Sequence, residues 1–463
     1  MNKSPNLVLF LSDDHGAWAS GCYGDPYLQT PNIDFLAENG VQMLNAFTPT
    51  PVCSPARACL MTGRLASQHG VHDYIGTTKG FDVDYNWMEK ETLLPELFQQ
   101  AGYETILVGK WHLGQERIRK QGFDHAFTIG PDYPILHQGE RTFYRDDVPV
   151  STNGVLSETI TEEAVWYLRT RTNDKPFLLV IGHYATHSPW LGHPEPLVEY
   201  YQKKGVGKNL FAYQYPFGTL VNEATDVTRE QPALALCQYY AGVTEIDNSV
   251  GKILHELNNL GLQENTMVAY TSDHGLNCGQ HGLWGKGNAT YPLNMLEQSI
   301  RIPMIFYYPK RLLNKQKREE FVDHTDLFAT LLDLASIAES PEAIKKRNSP
   351  GKSFLSLLTN TYAKKEIKRL QFGEYGPVRM VRTHRYKLCM YPDQADNLLF
   401  DLQEDPGERI NVIDEQPYQE IISSLKDLIN SFFTIYQEPG KQGNHPHLPQ
   451  FNPHVAWNHF KEN

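Results

Sequence analysis

Four short apolar runs, each followed by polar or titratable residues, constrain the fold of this chain more than any other feature. The runs are NLVLFL, ETILVG, PFLLVIG and TMVAYTS, which begin at residues 6, 104, 176 and 266. Continuous apolar runs of this length are typical of strands buried on both faces of a mainly parallel sheet. Helical patterns lie between them, at residues 32–40, 93–102, 159–171 and 238–261. This alternation predicts an α/β fold, with a large, mainly parallel sheet flanked by helices.

Polar side chains follow all four runs, at the strand ends where open α/β sheets bind their ligands. These side chains are Asp13, Asp14, Lys110, His112, His187, Asp273 and His274. Carboxylates that converge on one point repel each other unless a cation lies there. Lys110 and His112 are two residues apart in a run predicted to be extended, so we expect both to point to one side. Loop polarity explains one or two such ends, but all four together predict a functional site.

The remainder of the chain predicts a second, smaller unit. Another strand is expected at 299–309 and a helix at 324–337, and the polar stretch 340–352 indicates a connector. Short strand-like runs follow, and then a long helical pattern at 416–437. We therefore predict a large α/β domain over 1–345 and a small α+β subdomain over 346–463, with an antiparallel sheet, the long helix and a tail rich in Pro and His.

Composition and charge exclude several classes of function. The chain has 463 residues and a net charge of -12, so no general basic surface exists to bind nucleic acid or an anionic membrane. No apolar run approaches transmembrane length. Six scattered cysteines, without zinc-ligand spacing or a disulfide framework, indicate a reducing compartment. The first apolar run is too short for a signal peptide, so we expect a cytoplasmic protein, or a periplasmic or secreted one if a leader precedes this sequence.

The run PVCSPARACLMTGR, at 51–64, combines a nucleophile with groups that attract anions. Pro55 fits the first turn of a helix, which places Cys53 at its N-terminus, where free N–H groups and the helix dipole favour negative charge. Arg57 follows about one turn later and carries a guanidinium suited to oxyanions. An isolated cysteine is more often a small buried apolar residue, so the motif gains weight from its context.

CSPAR at 53–57 with LMTGR at 60–64 resembles the signature of the type I sulfatases, in the alkaline phosphatase superfamily. In that family a formylglycine-generating enzyme reads C-x-P-x-R and oxidises the cysteine to formylglycine. The resemblance continues at GKWHLG, at His187-Ser-Pro189, at GLWGKG with Lys286, and at LFDLQEDPGE. GLWGK and LFDLQEDPGE are most similar to bacterial carbohydrate sulfatases.

The resemblance implies a sulfuric ester hydrolase that acts on a sulfated oligosaccharide or polysaccharide, such as a chondroitin or dermatan-type glycosaminoglycan. One hydroxyl of the hydrated aldehyde would attack sulfur, His187 would protonate the leaving alcohol, and His112 would take a proton as sulfate is expelled. The implied catalytic residues are Cys53, Arg57, Lys110, His112, His187 and Lys286. The implied ligands of calcium, which suits mixed oxygen donors better than magnesium does, are Asp13, Asp14, modified Cys53, Asp273 and His274.

Further residues are candidates for the substrate pocket, because basic groups beside aromatic rings suit an anionic sugar. These candidates are His72, Asp73, Trp190, Arg382, His384 and Arg385. For each of them, solvation or core packing is at least as common a role. Two other functions stay open: a phosphonate monoester or phosphodiester hydrolase of the same superfamily, and a glycan-binding pseudoenzyme with unmodified Cys53.

Overall fold

The computed structural model describes residues 4–76, 82–115, 120–129, 137–208, 210, 215–221, 226–360, 370–392 and 396–443. The strands are β1 (Asn6–Ser12), β2 (Val41–Phe47), β3 (Glu104–Gly109), β4 (His125–Ile129), β5 (Gln138–Arg145), β6 (Val148–Val155), β7 (Phe177–Gly182), β8 (Thr219–Leu220), β9 (Thr266–Ser272), β10 (Asn277–Cys278), β11 (Trp284–Gly285), β12 (Thr290–Tyr291), β13 (Arg301–Ile302), β14 (Met304–Tyr307), β15 (Gln316–Asp323), β16 (Gln371–Tyr375), β17 (Val378–Arg382), β18 (Tyr386–Met390) and β19 (Leu398–Asp401).

The α-helices follow the same chain order. They are α1 (Pro31–Glu38), α2 (Cys53–Thr62), α3 (Ala66–His69), α4 (Leu94–Gln100), α5 (Leu156–Thr170), α6 (Glu195–Lys203), α7 (Asp226–Glu230), α8 (Pro232–Asn259), α9 (Glu297–Ile300), α10 (His324–Leu334), α11 (Pro341–Arg347), α12 (Leu355–Thr359) and α13 (Gln419–Tyr436). None of these helices is long and apolar enough to cross a lipid bilayer.

An 11-stranded sheet is the centre of the described structure, in the order β13-β2-β14-β9-β1-β7-β3-β4-β5-β6, with β15 beside β2. The four predicted strands are adjacent and parallel, in the order β9, β1, β7, β3, and β4 extends this parallel block. Antiparallel strands lie on both sides of it, with β14 next to β9 and with β5 and β6 beyond β4. The predicted α/β fold with a mainly parallel core is therefore confirmed.

The central strands are apolar throughout because both faces of the sheet are covered. Leu9 of β1 packs into one hydrophobic layer, and its neighbours Val8 and Phe10 pack into the other. Helices α2, α4 and α10 cover the first face, and α1, α5 and α8 cover the second. This arrangement leaves the strand ends as the place where polar groups gather.

The C-terminal region forms a second, antiparallel sheet in the order β16-β17-β18-β19. The apolar face of α13, formed by Ile422, Leu425, Ile429 and Phe433, packs against this sheet. Helix α12 still packs in the core of the large sheet through Leu358, and the small sheet begins only at Gln371. The division at residue 345 remains a prediction.

Two local expectations were wrong. The stretch 340–352 is not only a connector, because α11 occupies its first half, with the Ser340 hydroxyl accepting a hydrogen bond from the Ala343 N–H at 3.2 Å. Ser followed by Pro is also a helix start, with the serine as N-cap. The strand expected at 299–309 is divided into β13 and β14 at Pro303, which has no N–H to donate. The tail beyond residue 443 lies outside the described residues.

Candidate active site

The polar residues after β1, β3, β7 and β9 meet at one edge of the sheet, as predicted. Ser12 is in register with Ser272, and the Asp273 N–H donates to the Ser12 carbonyl at 3.0 Å. On the other side of β1, the His183 N–H donates to the Leu11 carbonyl at 3.1 Å. In-register pairing therefore brings all four strand ends to the same level.

Helix α2 begins at Cys53, and this position carries the centre of the site. The thiol is 1% exposed, and all ten residues of the helix are buried. Its Sγ lies 3.2 Å from Asp13 Oδ1, 3.2 Å from His274 Nε2 and 3.5 Å from Lys286 Nζ. Burial raises the pKa of the Cys53 thiol, but Lys110, Lys286 and His274 outweigh it and hold the pKa well below its usual range. The site therefore stabilises negative charge at position 53.

Four buried residues form a candidate metal centre. The ligand atoms of Asp13, Asp14, Cys53 and His274 all lie within 4.8 Å of one another. Adjacent residues of an extended strand point to opposite faces, but Asp14 has a left-handed backbone with φ 58°, which lets both carboxylates approach one point. Carboxylate oxygens are donors that suit a hard divalent cation.

Asp273 lies at the edge of this centre and is held by other groups. Its Oδ1 is 3.5 Å from His274 Nε2 and accepts the N–H groups of Asp14 and His274 at 3.2 and 2.8 Å. Its Oδ2 accepts Arg57 Nε at 2.9 Å. Asp273 thus joins the predicted ligands to Arg57, while its place among the ligands themselves remains a prediction.

Three buried cations surround the carboxylates. Lys110 Nζ pairs with Asp13, and Lys286 Nζ lies 2.9 Å from Asp14 Oδ1. Burial and the Cys53 thiolate raise the pKa of Asp13, yet Lys110, His187 and Lys286 together hold it below its ordinary value. Arg57 Nη1 donates to the Lys110 carbonyl at 3.0 Å, whereas Nη2 is buried without a hydrogen-bond partner within the described part of the chain. An unpaired buried donor is costly, so Nη2 is available to a bound oxyanion.

The two predicted proton-transfer histidines have opposite protonation tendencies. Burial and Lys286 lower the pKa of His187, but Asp14, Asp13 and a hydrogen bond with Cys53 raise it to about 9. Burial and Lys110 lower the pKa of His112, and its interaction with Cys53 only partly offsets them. At neutral pH the first ring is therefore charged and the second is neutral.

The path of the chain to His112 differs from the extended run that we expected. Gly109 has φ 100° and His112 has φ 64°, so the backbone turns twice after β3. A Cβ at Gly109 would lie 2.0 Å from the Gly182 carbonyl oxygen, which explains why glycine ends the strand. Lys110 and His112 still reach the surroundings of Cys53, but through these turns and not through strand alternation.

The candidate pocket residues all have partners within the protein. His72 Nε2 bonds to the Lys441 carbonyl at 2.7 Å, Asp73 accepts from Tyr375 Oη at 3.0 Å, and the buried Trp190 donates to the Thr186 carbonyl at 3.0 Å. The others belong to the C-terminal sheet region. Arg382 pairs with Glu297, Arg385 pairs with Asp401, and His384 lies against Phe321.

Arg382 and His384 also line a cleft of about 330 Å³ together with Trp18, Arg301 and other residues, and Cys53 is not part of its lining. The substrate-binding roles of all six candidates remain predictions.

Several supporting residues carry no motif, and the sequence did not indicate them. Tyr184 lies under Lys110, with Nζ 5.3 Å from the ring centre, and Asn294 Nδ2 donates to the Lys286 carbonyl at 2.9 Å. His324 Nε2 bonds to the Ser272 carbonyl at 2.9 Å, and Thr186 donates to the Asp13 carbonyl. Of these residues, only Thr186 could have been inferred from the sequence, because it directly precedes His187.

Comparison with known proteins identifies the family. The model of the Sulfatase family matches residues 5–337. This chain belongs to the sulfatase family. It is a type I sulfatase of the alkaline phosphatase superfamily and thus a sulfuric ester hydrolase. A second family model, N-sulphoglucosamine sulphohydrolase, C-terminal, matches residues 279–434.

Individual relatives of this sulfatase cover most of it. It is 25% identical to an N-acetylglucosamine-6-O-sulfatase from Bacteroides thetaiotaomicron, over 94% of this chain and 87% of the relative. It is 31% identical to an N-acetylgalactosamine-6-sulfatase from Rattus norvegicus, over 72% of this chain and 63% of the relative. A structure solved with its substrate D-glucosamine-2-N,6-O-disulfate superposes with a TM-score of 0.76 at 23% identity, covering 94% and 99% of the two chains.

Proposed function

We propose that this sulfatase removes O-sulfate groups from a sulfated amino-sugar glycan, using formylglycine made from Cys53 and a bound calcium ion. The observation that carries the proposal is the position of Cys53. Cys53 is the first residue of a buried helix, and its Sγ lies within 3.5 Å of Asp13 Oδ1, His274 Nε2 and Lys286 Nζ. The helix N-terminus, the two nearby lysines and a cation held by the candidate metal ligands would together stabilise an anionic substrate.

The residues of the site fit a divalent cation. Asp13, Asp14 and His274, with an oxygen at position 53, would hold it, and Asp273 would complete the set through Oδ1. Calcium accepts such irregular oxygen-rich shells more readily than magnesium, which requires near-ideal octahedral geometry. When bound, the cation supplies positive charge that polarises a sulfate oxygen.

The remaining residues have distinct roles in sulfate transfer. A hydrated aldehyde at position 53 supplies one hydroxyl for attack on sulfur and a second one for release of sulfate, which serine or cysteine lacks. Arg57 Nη2, Lys110 and Lys286 neutralise the sulfate oxygens. His187 donates a proton to the leaving sugar oxygen, and His112 accepts a proton beside position 53.

The proposed substrate follows from what the relatives act on. The bacterial relative is named for the 6-O-sulfate of N-acetylglucosamine, and the rat relative for that of N-acetylgalactosamine. The superposed structure holds a 6-O-sulfated glucosamine. These names support a 6-O-sulfated amino sugar, free or within a glycosaminoglycan. The chondroitin or dermatan-type substrate that the family resemblance implies is one member of this proposed class.

The first experiment combines mass spectrometry with a substrate panel. The protein is produced with and without a formylglycine-generating enzyme, and the mass of the peptide containing Cys53 is measured. Rates are then measured on the 6-sulfates of both N-acetylhexosamines, an aryl sulfate and an aryl phosphonate. We expect the aldehyde or its hydrate at position 53 and the highest kcat/KM on one sugar sulfate, with Cys53→Ala at least about 10³-fold slower.

Two other results would replace the proposal. A higher kcat/KM on the phosphonate than on any sulfate would identify a phosphonate monoester hydrolase. A plain thiol at position 53 despite the modifying enzyme, together with sugar binding but no turnover, would identify a binding protein.

A further inference from the structure

A buried histidine holds the backbone of the proposed general acid. His137, which directly precedes β5, is 1% exposed, and its Nε2 lies 2.9 Å from the carbonyl oxygen of His187. A carbonyl oxygen only accepts hydrogen bonds, so His137 carries its hydrogen on Nε2. Burial and the neighbouring His193 lower the pKa of His137 well below its usual value, so the ring stays neutral with Nε2–H as its donor.

A second histidine and a glutamate hold the first histidine in place. The rings of His137 and His193 stack with centres 4.1 Å apart and planes at 24°. His193 Nδ1 lies 2.9 Å from Glu245 Oε1, and Glu245 projects from the long helix α8. A continuous set of contacts therefore runs from α8 through Glu245, His193 and His137 to the carbonyl of His187.

Stability alone does not account for this set. His137 Nδ1, His193 Nε2 and Glu245 Oε2 are buried without a hydrogen-bond partner among the described residues. Each such atom destabilises the folded state relative to a satisfied one, and apolar side chains of similar size would fill the space without that penalty. Among the described residues, the hydrogen bond that this set makes towards the active site ends on His187.

The backbone of His187 also determines where its ring points. Its N–H donates to the Tyr184 carbonyl at 2.9 Å, and its Nδ1 bonds to the Ser188 carbonyl at 2.8 Å. With Nδ1 occupied in this way, the other side of the ring is left to face Cys53, with which His187 shares a hydrogen bond. A rotation of the backbone at His187 would therefore turn the ring away from the reacting atoms.

We propose that His137 is a positioning residue, which fixes the His187 carbonyl and so aims the His187 ring at the leaving group, with His193 and Glu245 as its support. The inference rests on the proposed function, in which His187 protonates the leaving sugar oxygen. A misaligned general acid slows substrates with poor leaving groups far more than those with good ones, because a good leaving group departs without a proton.

The test compares His137→Phe with His137→Gln in the formylglycine-containing protein. Phenylalanine keeps an aromatic ring against His193 but has no N–H, whereas glutamine offers an amide N–H to the His187 carbonyl. We measure kcat and KM on sugar 6-sulfates and on aryl sulfates of increasing leaving-group pKa. His137→Phe is expected to lower kcat on sugar sulfates about 10–100-fold and on 4-nitrophenyl sulfate less than about threefold, with KM nearly constant. His137→Gln is expected to recover most of the loss.

His183→Asn is the matched control for loss of a buried histidine in the same segment. His183 is fully buried, and its Nε2 bonds to Ser249 Oγ at 2.9 Å, away from His187. We expect a lower Tm for this variant and an unchanged dependence of rate on leaving group. Glu245→Gln, which weakens the support without emptying the site, is expected to shift that dependence in the same direction as His137→Phe, but less, and it replaces His137→Phe if that variant does not fold.

An equal loss of rate on all leaving groups, or none, in His137→Phe or in its replacement, would overturn the inference. Absence of sulfate hydrolysis in the unaltered, formylglycine-containing protein would instead overturn the proposed function, so the two failures are distinct.

Discussion

Two buried clusters of charge in this sulfatase differ in how completely their members satisfy one another. The strand-end cluster consists of Asp13, Asp14, Cys53, Arg57, Lys110, Asp273, His274 and Lys286. The subdomain cluster lies where the small sheet meets the large domain and consists of Glu297, Arg382, Lys387 and Glu408. Both place charged groups where burial is costly unless partners compensate it.

The subdomain cluster is complete in itself. Lys387 Nζ pairs with Glu408, lies 3.2 Å from Glu297 Oε1 and donates to the Met295 carbonyl at 2.8 Å. Arg382 pairs with Glu297 at 3.2 Å, so two cations face two carboxylates. The strand-end cluster instead leaves Arg57 Nη2 unpartnered within the described chain and uses a left-handed backbone at Asp14. A cluster whose charged groups are all paired with one another can hold two parts of a protein together. A cluster with an unpaired donor, such as Arg57 Nη2, can bind a ligand.

Removal of the proposed calcium ion is expected to have the largest effect, and only on the strand-end cluster. Treatment with EGTA would leave Asp13 and Asp14 without their cation and lower kcat at least about 10³-fold. Added calcium at 100 times its Kd would stabilise the protein by about 2.7 kcal/mol, seen as a higher Tm. Lys387→Met should show the same calcium-dependent rise in Tm as the unaltered protein. An EGTA-treated enzyme that keeps full activity would contradict the proposed metal.

Matched lysine substitutions separate the two clusters directly. Lys110→Met removes a charge that we propose faces the sulfate and is expected to lower kcat about 10²–10³-fold. With calcium present the change in Tm is expected to be small, because the proposed cation still compensates the charge of Asp13. Lys387→Met leaves Glu408 buried without its cation, whereas Glu297 keeps Arg382, and is expected to cost about 3–5 kcal/mol of unfolding free energy, with kcat per folded molecule retained. Kinetics and urea unfolding measure both quantities. The comparison fails if Lys387→Met lowers kcat as much as Lys110→Met does.

Acid is expected to weaken the packing behind the strand-end cluster. Burial lowers the pKa of His183 to about 3, whereas the unfolded chain titrates near 6.5. A depressed folded pKa contributes stability that is fully present above pH 6.5 and is lost as the pH falls towards 3. Between pH 7 and pH 4 the unaltered protein should lose roughly 3 kcal/mol more than His183→Asn. Urea midpoints at several pH values test this, and parallel curves would show that His183 does not titrate this way.

Arg385→Ala should have the smallest effect. Arg385 pairs with Asp401 at the protein surface, its side chain is 45% exposed, and it belongs to neither cluster. We expect no resolvable change in Tm and a KM within about threefold of the unaltered value. A large rise in KM on sugar sulfates alone would instead support the substrate-binding role that the sequence predicts for this residue.

The two clusters were not equally predictable from sequence. The strand-end cluster follows apolar runs that identify buried parallel strands, and in-register pairing then brings their polar ends together. In the subdomain cluster, Glu408 ends the LFDLQEDPGE run and Arg382 is a pocket candidate, but nothing in the sequence indicates that they meet Glu297 and Lys387. These residues are far apart in the chain, and no periodic pattern marks a charge as buried. The turn at Gly109 was missed for a similar reason, since it depends on the close approach of the Gly182 carbonyl.

The burial of α2 would set a time limit on the proposed oxidation of Cys53. Phe328 of α10 covers the C-terminal end of α2, which is the end opposite Cys53. A Cβ added at Gly63 would lie 2.6 Å from the Phe328 ring. The ribosome makes α10 some 270 residues after Cys53, which at about 5–20 residues per second takes roughly 15–55 s. Any enzyme that oxidises Cys53 must reach it within that interval or before folding is complete. The pace of translation, and not only the supply of the modifying enzyme, would then govern how many molecules leave the ribosome ready to become active.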